Sequence, residues 1–231
     1  MKLTPRADTP ATPAPFAGCD NPAMFTGIIS GLGRITRAEA LGSDVSHGKR
    51  LTIAAPAGYL DDVQLGDSIA LNGACMTATT LDRAASVFTI DISAESLART
   101  SGLDATGAIN LEKAMRANDR LDGHMVSGHV DGLGTVSHFE PVGESWELRV
   151  LTPRELARFI AYKGSITVNG VSLTVNRVDD VAGGCELSIN LIPHTLANTT
   201  LGELEAGMHV NLEIDLIARY VERMLTAPKA D

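Results

Sequence analysis

Cys75 and Ser172 hold the same place in a stretch that the chain writes twice, Ser68-Ile69-Ala70-Leu71-Asn72-Gly73-Ala74-Cys75-Met76-Thr77 and Ser165-Ile166-Thr167-Val168-Asn169-Gly170-Val171-Ser172-Leu173-Thr174. A thiol and a hydroxyl are small groups that can hydrogen-bond a ligand or attack an electrophilic carbon. Asn-Gly between two alternating runs predicts a two-residue hairpin, because a type I′ turn needs positive φ at both central positions. Pairing outward from the turn sets Leu71 opposite Ala74, Ala70 opposite Cys75, Ile69 opposite Met76 and Ser68 opposite Thr77. Opposed residues share a sheet face. Ile69, Leu71, Ala74 and Met76, and in the second copy Ile166, Val168, Val171 and Leu173, therefore belong to a core. The other faces carry Ser68, Ala70, Cys75 and Thr77, and Ser165, Thr167, Ser172 and Thr174. A solvated sheet face usually carries Lys and Glu, whereas small hydroxyl and thiol groups, twice, suit a surface on which a flat ligand lies.

The elements that position these faces are themselves duplicated. Thr26-Gly27-Ile28-Ile29-Ser30-Gly31-Leu32-Gly33 answers Ser127-Gly128-His129-Val130-Asp131-Gly132-Leu133-Gly134 at an offset of 101. The Asn-Gly hairpins match at 97, Leu97-Ala98-Arg99-Thr100 matches Leu196-Ala197-Asn198-Thr199 at 99, and Ile109-Asn110-Leu111-Glu112 matches Val210-Asn211-Leu212-Glu213 at 101. Four segments in one order with nearly constant offsets predict two copies of one fold, over residues 24–121 and 122–215. Runs rich in Val, Ile and Thr recur between Gly and Asp turns at 50–54, 68–71, 75–81, 88–92 and 108–111. Such spacing predicts a small antiparallel barrel or sandwich, and closure into a barrel removes exposed edges. Residues 93–100 and 153–161 read as short helices or turns. After Asp215 the period becomes 3.6, with Ile217, Tyr220, Val221, Met224 and Leu225 on one side and Arg219, Glu222 and Arg223 on the other. This amphipathic helix, within residues 216–231, has no counterpart after the first copy, which favours packing on another subunit.

Composition limits what such a protein can bind. A net charge of −9 over 231 residues, without a basic run, argues against a nucleic-acid backbone or an anionic membrane as partner. No apolar run reaches the length of a membrane-spanning helix. Three cysteines without a CxxC pair suit a reducing cytoplasm and neither a disulfide framework nor a zinc site. Residues 1–23 hold five of the ten prolines among Ala and Thr and read as a disordered extension. His124 and His129, five apart, do not share a face of a regular strand or helix, which argues against a shared metal.

Several long motifs in order are similar to one family. Met24-Phe25-Thr26-Gly27-Ile28-Ile29, the segment from Gly123 to Gly132, the segment from Lys163 to Thr174, and Ile192-Pro193-His194-Thr195-Leu196 closely resemble the riboflavin synthase α chain over about residues 24–225. The resemblance implies an all-β fold of two tandem six-stranded Greek-key β-barrels followed by the C-terminal helix, which assembles a homotrimer with sites between subunits. It implies a transferase that dismutates two molecules of 6,7-dimethyl-8-ribityllumazine, one giving a four-carbon unit to the other, to yield riboflavin and 5-amino-6-ribitylaminouracil in the last step of riboflavin biosynthesis. No metal or other cofactor is implied, and lumazine synthase is a candidate protein partner. Family members begin the Phe-Thr-Gly strand directly after the initiator Met, whereas here 23 residues precede the corresponding Met24.

By motif match, the first pocket would use Phe25, Gly27, Ile28, Ile29, Ser68, Ala74, Cys75, Met76, Thr77 and the run Asp91, Ile92, Ser93, Ala94, Glu95, Ser96. The second would use Gly128, His129, Val130, Lys163, Ser172, Leu173, Thr174 and the run Asn190, Leu191, Ile192, Pro193, His194, Thr195. Donor and acceptor must be treated differently, so the reactive candidates are where the copies differ: Cys75 against Ser172, Ile28 against His129, Glu95 against His194. Cys75, His129, Lys163 and Ser172 are the catalytic candidates. An unshifted thiol is mostly protonated at neutral pH, so Cys75 suits hydrogen bonding or transient attack. His129 suits taking the acidic proton of the 7-methyl group, and Lys163 suits stabilising the resulting anion. His47, His138 and His209 match no motif and read as surface residues. Lumazine proteins, related non-enzymatic antennae usually with one working pocket, are the rival expectation. A reductase flavin barrel is disfavoured by the lack of a nicotinamide site.

Deleting residues 1–23 is expected to shift stability by no more than about 0.5 kcal/mol in urea unfolding and to leave activity intact; loss of the fold would show that the extension is structural.

Overall fold

The computed structural model describes residues 23–44 and 46–228. The expected disordered extension, apart from Ala23, lies outside these residues, as do residues 229–231 of the C-terminal segment. In the first copy the strands are β1 (Gly31–Ala40), β2 (Lys49–Ala54), β3 (Ser68–Leu71), β4 (Ala74–Thr77), β5 (Thr80–Asp82), β6 (Val87–Ile92) and β7 (Gly107–Lys113), with helix α1 (Ala94–Arg99) before β7. The second copy repeats them as β8 (Gly132–Val142), β9 (Ser145–Pro153), β10 (Ser165–Val168), β11 (Val171–Thr174), β12 (Arg177–Val181), β13 (Gly184–Leu191) and β14 (His209–Ile214). Helix α2 (Arg154–Ala157) follows β9, α3 (Pro193–Asn198) precedes a 3₁₀ turn at Thr200–Glu203, and α4 (Leu216–Thr226) is the last element among the described residues.

Both sheets are antiparallel with the same strand order, β4-β3-β7-β1-β2-β6-β5 and β11-β10-β14-β8-β9-β13-β12. Each has seven strands where six are expected, because the run expected at 75–81 bends. Ala78 donates its amide to Asp67 O and Thr79 donates to Thr89 O, so β4 pairs with β3 while β5 crosses to β6. The second copy bends likewise at Val175 and Asn176. Taken as one bent strand, the run returns the expected six. Strands β1 and β8 are absent from the sequence reading because Arg34, Arg37 and Glu39 interrupt the apolar signal of β1, in which Ile35 is the one buried side chain beside buried Gly33.

The hairpins keep the register that the Asn-Gly turns dictate, residue for residue. Asn72 and Gly73 have φ of 44° and 85°, and Asn169 and Gly170 have 47° and 78°. Ile69, Leu71, Ala74 and Met76 enter the first core with Phe88 and Ile90, and Ile166, Val168 and Val171 enter the second with Leu187 and Ile189.

The two copies contact each other. Their turns meet: a Cβ on Gly73 would lie 2.8 Å from Gly170 N, and one on Gly170 would lie 2.7 Å from Gly73 N. Around this contact Asn110 Nδ2 donates to Asn169 O at 2.9 Å and Asn211 Nδ2 donates to Asn72 O at 3.0 Å. Asn72 Oδ1 accepts from Asn110 N, and Asn169 Oδ1 from Asn211 N, each at 2.8 Å. All four Asn side chains are buried, where a missing partner is costly. The leading segments are also exchanged: Phe25 pairs with Val126, Ile29 packs on the second core, and Val130 packs on the first.

Helix α4 buries no residue. Ile217, Tyr220, Val221, Met224 and Leu225 are 49–79% exposed, while Arg219 pairs with Asp131 and Glu222 with Arg158. The helix thus turns charged groups to its own barrel and its apolar stripe outward.

Because the Asn hub joins both cores, Asn110→Ala and Asn211→Ala are each expected to destabilise by about 2–3 kcal/mol and to combine less than additively. Urea unfolding of the intact chain should show one cooperative transition for both copies.

Candidate active site

Two short segments, 25–30 and 126–131, run between the copies, and a buried carboxylate holds each. Glu112 Oε1 accepts from Thr26 N at 2.7 Å and Thr26 Oγ1 at 2.8 Å, and Oε2 accepts from Gly27 N at 3.0 Å. Glu213 repeats this with Ser127 N and Oγ at 2.7 Å and Gly128 N at 3.0 Å. Burial pushes both carboxyls above the usual carboxylate range, against hydrogen bonds that favour the charged form.

These clamps turn the segments toward the hairpins of the opposite copy. Ser172 N donates to Gly27 O and Cys75 N donates to Gly128 O, both at 2.8 Å. Gly27 and Gly128 both have φ of 76°. A Cβ would lie 2.6 Å from Ser172 Cβ in the first case and 2.7 Å from Cys75 Cβ in the second, so these sites need glycine twice over. The grouping expected from the motifs is therefore corrected. Gly27-Ile28-Ile29 adjoins Ser172, and Gly128-His129-Val130 adjoins Cys75. Sequence offsets identify equivalent residues but not the copy on which a segment packs.

The hairpin faces are only partly open. Ala70 and Thr167 are buried, Cys75 and Ser172 are half-buried, and Thr77 and Thr174 are exposed. Phe25 is fully buried with Ala70 and Val126. Ala74, Met76, Ile92 and Leu191 point into the cores, and Leu173 packs on the second core. Ser68 is half-buried and Ile28 and His129 are exposed.

Sequence reasoning missed His124. Its buried ring meets Ser172 Oγ through Nδ1 at 2.7 Å, while Nε2 has no hydrogen-bond partner. Burial lowers its pKa from 6.5, the charge of Asp215 opposing, so the imidazole favours its neutral form. The first copy has Ala23 at the corresponding place, packed with Cys75 around Phe25, Ala70 and Val126. Burial raises the Cys75 pKa, a hydrogen bond with Ser68 opposing, so this thiol stays protonated. One hairpin thus presents a hydroxyl coupled to a neutral imidazole, and the other an unionised thiol in apolar surroundings.

The remaining candidates lie at the rims. Lys163 is exposed, with φ of 62°; it donates its amide to Val175 O and its Nζ to Asn176 Oδ1 at 2.7 Å. Asp91 is paired with Arg50 through two hydrogen bonds of 2.7 and 2.8 Å. Ser93 caps α1 by accepting from Ser96 N, after which Ala94 begins the helix and Glu95 pairs with Arg99. Asn190 and Ile192 are exposed before α3, Pro193 and His194 stand exposed in its first turn, and Thr195 is half-buried. An adjoining cleft of about 480 Å³ is lined by Thr26, Ile28, Ser68, Glu112, Lys113 and Arg116 among others, but not by Cys75, His129 or Ser172. The reactive side chains therefore sit on open hairpin faces, not inside this cleft.

Comparison with known proteins agrees with this architecture. The Lumazine binding domain family matches residues 26–114 and 127–215. The riboflavin synthase of Actinobacillus pleuropneumoniae is 42% identical over 210 residues, covering 90% of this chain and 93% of that protein. That of Bacillus subtilis is 41% identical over 204 residues, covering 87% and 90%. Among solved structures, LumP complexed with riboflavin is similar with a TM-score of 0.72 and 26% identity, over 82% of this chain and 98% of that one. With both copies matched by one family model and relatives above 40% identity along nearly their whole length, the chain belongs to the riboflavin synthase family.

Proposed function

We propose that the chain converts two molecules of 6,7-dimethyl-8-ribityllumazine into riboflavin and 5-amino-6-ribitylaminouracil, each ligand lying on one hairpin face. The observation that carries this reading is the inequality of two otherwise equivalent places, His124 with Ser172 in one and Ala23 with Cys75 in the other. A dismutation needs one molecule to give and the other to receive, and equal pockets would not assign those parts.

In this reading, Gly27-Ile28-Ile29, Ser172, Leu173, Thr174 and the Asn190–Thr195 run hold one lumazine. Cys75, Met76, Thr77, Gly128-His129-Val130 and the Asp91–Ser96 run hold the other. Neutral His124 accepts the Ser172 proton as the hydroxyl, or a water in its place, adds to one ring. His129 takes the acidic methyl proton of the other molecule, and the Cys75 thiol donates a hydrogen bond to it. Lys163 supplies positive charge to the anion that forms. Orientation and desolvation of two reactive heterocycles contribute most of the acceleration. Catalysis then requires two unlike faces to meet. The outward apolar stripe of α4 supports a homotrimer in which one chain's Cys75 face opposes a neighbour's Ser172 face. The units acting in this way are residues 24–121 and 122–215. The unpaired Cys75 and Cys185 favour a cytoplasmic setting, with lumazine synthase as a protein partner.

Purified protein given the lumazine should develop riboflavin absorbance. Tight binding with no riboflavin would instead favour an antenna protein. His124→Gln and Ser172→Ala should each lower kcat by about 10²-fold or more, and the double variant should be little worse than either. Because burial lowers the His124 pKa, its neutral form persists below pH 6.5, and the part of the acid-side loss of kcat that disappears in His124→Gln should fall below that pH. Co-refolding a Cys75→Ala/His129→Ala variant with a His124→Gln/Ser172→Ala variant should restore part of the activity. Mixed oligomers as inactive as their parents would rule out a site shared between chains.

A further inference from the structure

The segment that carries His129 is held at both ends, and one hold comes from the C-terminal helix. At its start Glu213 accepts the amides of Ser127 and Gly128. At its end Asp131 N donates to Leu212 O at 2.8 Å, Asp131 Oδ2 accepts from Ile214 N at 2.9 Å, and Asp131 Oδ1 meets Arg219 Nη2 of α4 at 2.6 Å. The Asp131 side chain is only 12% exposed while Arg219 is 42% exposed, so the pair is shielded from solvent on the Asp131 side.

The first copy has no such arrangement. Ser30 stands where Asp131 does, with its Oγ near Tyr59 OH and donating to Leu111 O, and no helix follows β7. The helix-borne hold thus exists in the copy that has His129 and is missing from the copy that has Ile28. Helix α4 depends on few attachments: Asp215 caps it by accepting from Ile217 N, the exposed Arg158 pairs with half-buried Glu222, and Arg219 reaches Asp131. Of the two ion pairs, the one with Asp131 reaches the loop of the candidate site. Glu213 and Asp131 are close enough for their charges to oppose each other, so the guanidinium also offsets repulsion between two acids that shape one loop.

We propose that Asp131 and Arg219 are positioning residues that couple the docking of α4 to the placement of His129. Neither touches the substrate. A helix seated in the assembly holds Arg219 against Asp131, fixes residues 127–131 between two anchors, and sets the His129 ring over the Cys75 face. A displaced helix leaves Asp131 tied to β14 through Leu212 O and Ile214 N, but without the guanidinium that holds its other carboxylate oxygen. This rests on the proposed role of His129, and the test separates the two.

The experiment uses the full chain as wild type, Arg219→Met, Arg219→Lys, Asp131→Asn and the Arg219→Met/Asp131→Asn double variant, at concentrations where sedimentation gives the wild-type mass. Arg219→Met should lower kcat by about tenfold while KM changes by less than about twofold, Lys should restore most of the loss, and the double variant should be no worse than the poorer single one. Hydrogen exchange, which needs no turnover, should quicken in peptides spanning 127–131 and stay unchanged in those spanning 26–30. Unchanged exchange in 127–131 would overturn the coupling whether or not the wild type makes riboflavin. An active wild type with an unchanged kcat in Arg219→Met, or additive losses in the double variant, would also overturn it. An inactive wild type whose 127–131 exchange still responds would retain the coupling and reject the assigned reaction.

Discussion

The close approach of Gly73 and Gly170 is the constraint on which the rest depends. Two turn backbones meet without side chains between them, so each turn must place its polar atoms on something other than water. Asn110 and Asn211 reach across to satisfy the carbonyls of Asn169 and Asn72. A buried carbonyl left unpaired is costly, and the repeated Asn therefore determines that both copies form together. Once the turns are fixed, β3 and β10 are fixed relative to one another, and with them the faces that carry Cys75 and Ser172. The glycines serve twice, supplying positive φ and leaving room for the opposite chain.

The second layer of order is the exchange of the leading segments. Glu112 and Glu213 belong to the same copy as the residues they hold, yet Gly27 and Gly128 deliver their carbonyls to the hairpin of the other copy. Each face is thus lined by both halves of the chain. A buried carboxylate that accepts three hydrogen bonds is a rigid anchor, and its desolvation is tolerated because the donors are preorganised. The chemistry-bearing residues at 28, 75, 129 and 172 inherit their positions from these anchors, not from loops of their own.

Much of this was legible in the residues. The Asn-Gly turns gave the register of both hairpins, since positive φ at two successive positions leaves few alternatives, and the offsets of matching segments revealed the duplication. Strand β1 was hidden because Arg34, Arg37 and Glu39 break its alternation, and the seventh strand because a bend at Ala78 leaves no turn residue behind. The pairing of Gly27 with Ser172 could not be read, since a repeat gives no sign of which copy a segment covers. His124 had a readable signal: it answers Ala23 at the same offset that sets His129 against Ile28. Ala23, however, falls within the proline-rich residues 1–23, whose composition masks its correspondence to His124.

The exchanged segments bear on how such a chain could arise. A single ancestral copy could complete its hairpin face only by lending its leading segment to a second molecule and borrowing one in return, which describes an isologous homodimer. Tandem fusion would turn that contact between molecules into one within a chain while keeping every hydrogen bond of the hub. In a homodimer any substitution appears on both sides of the axis at once, so the two faces must remain identical. Joining the genes removes that symmetry, and a histidine could then enter beside one hairpin while an alanine stayed beside the other.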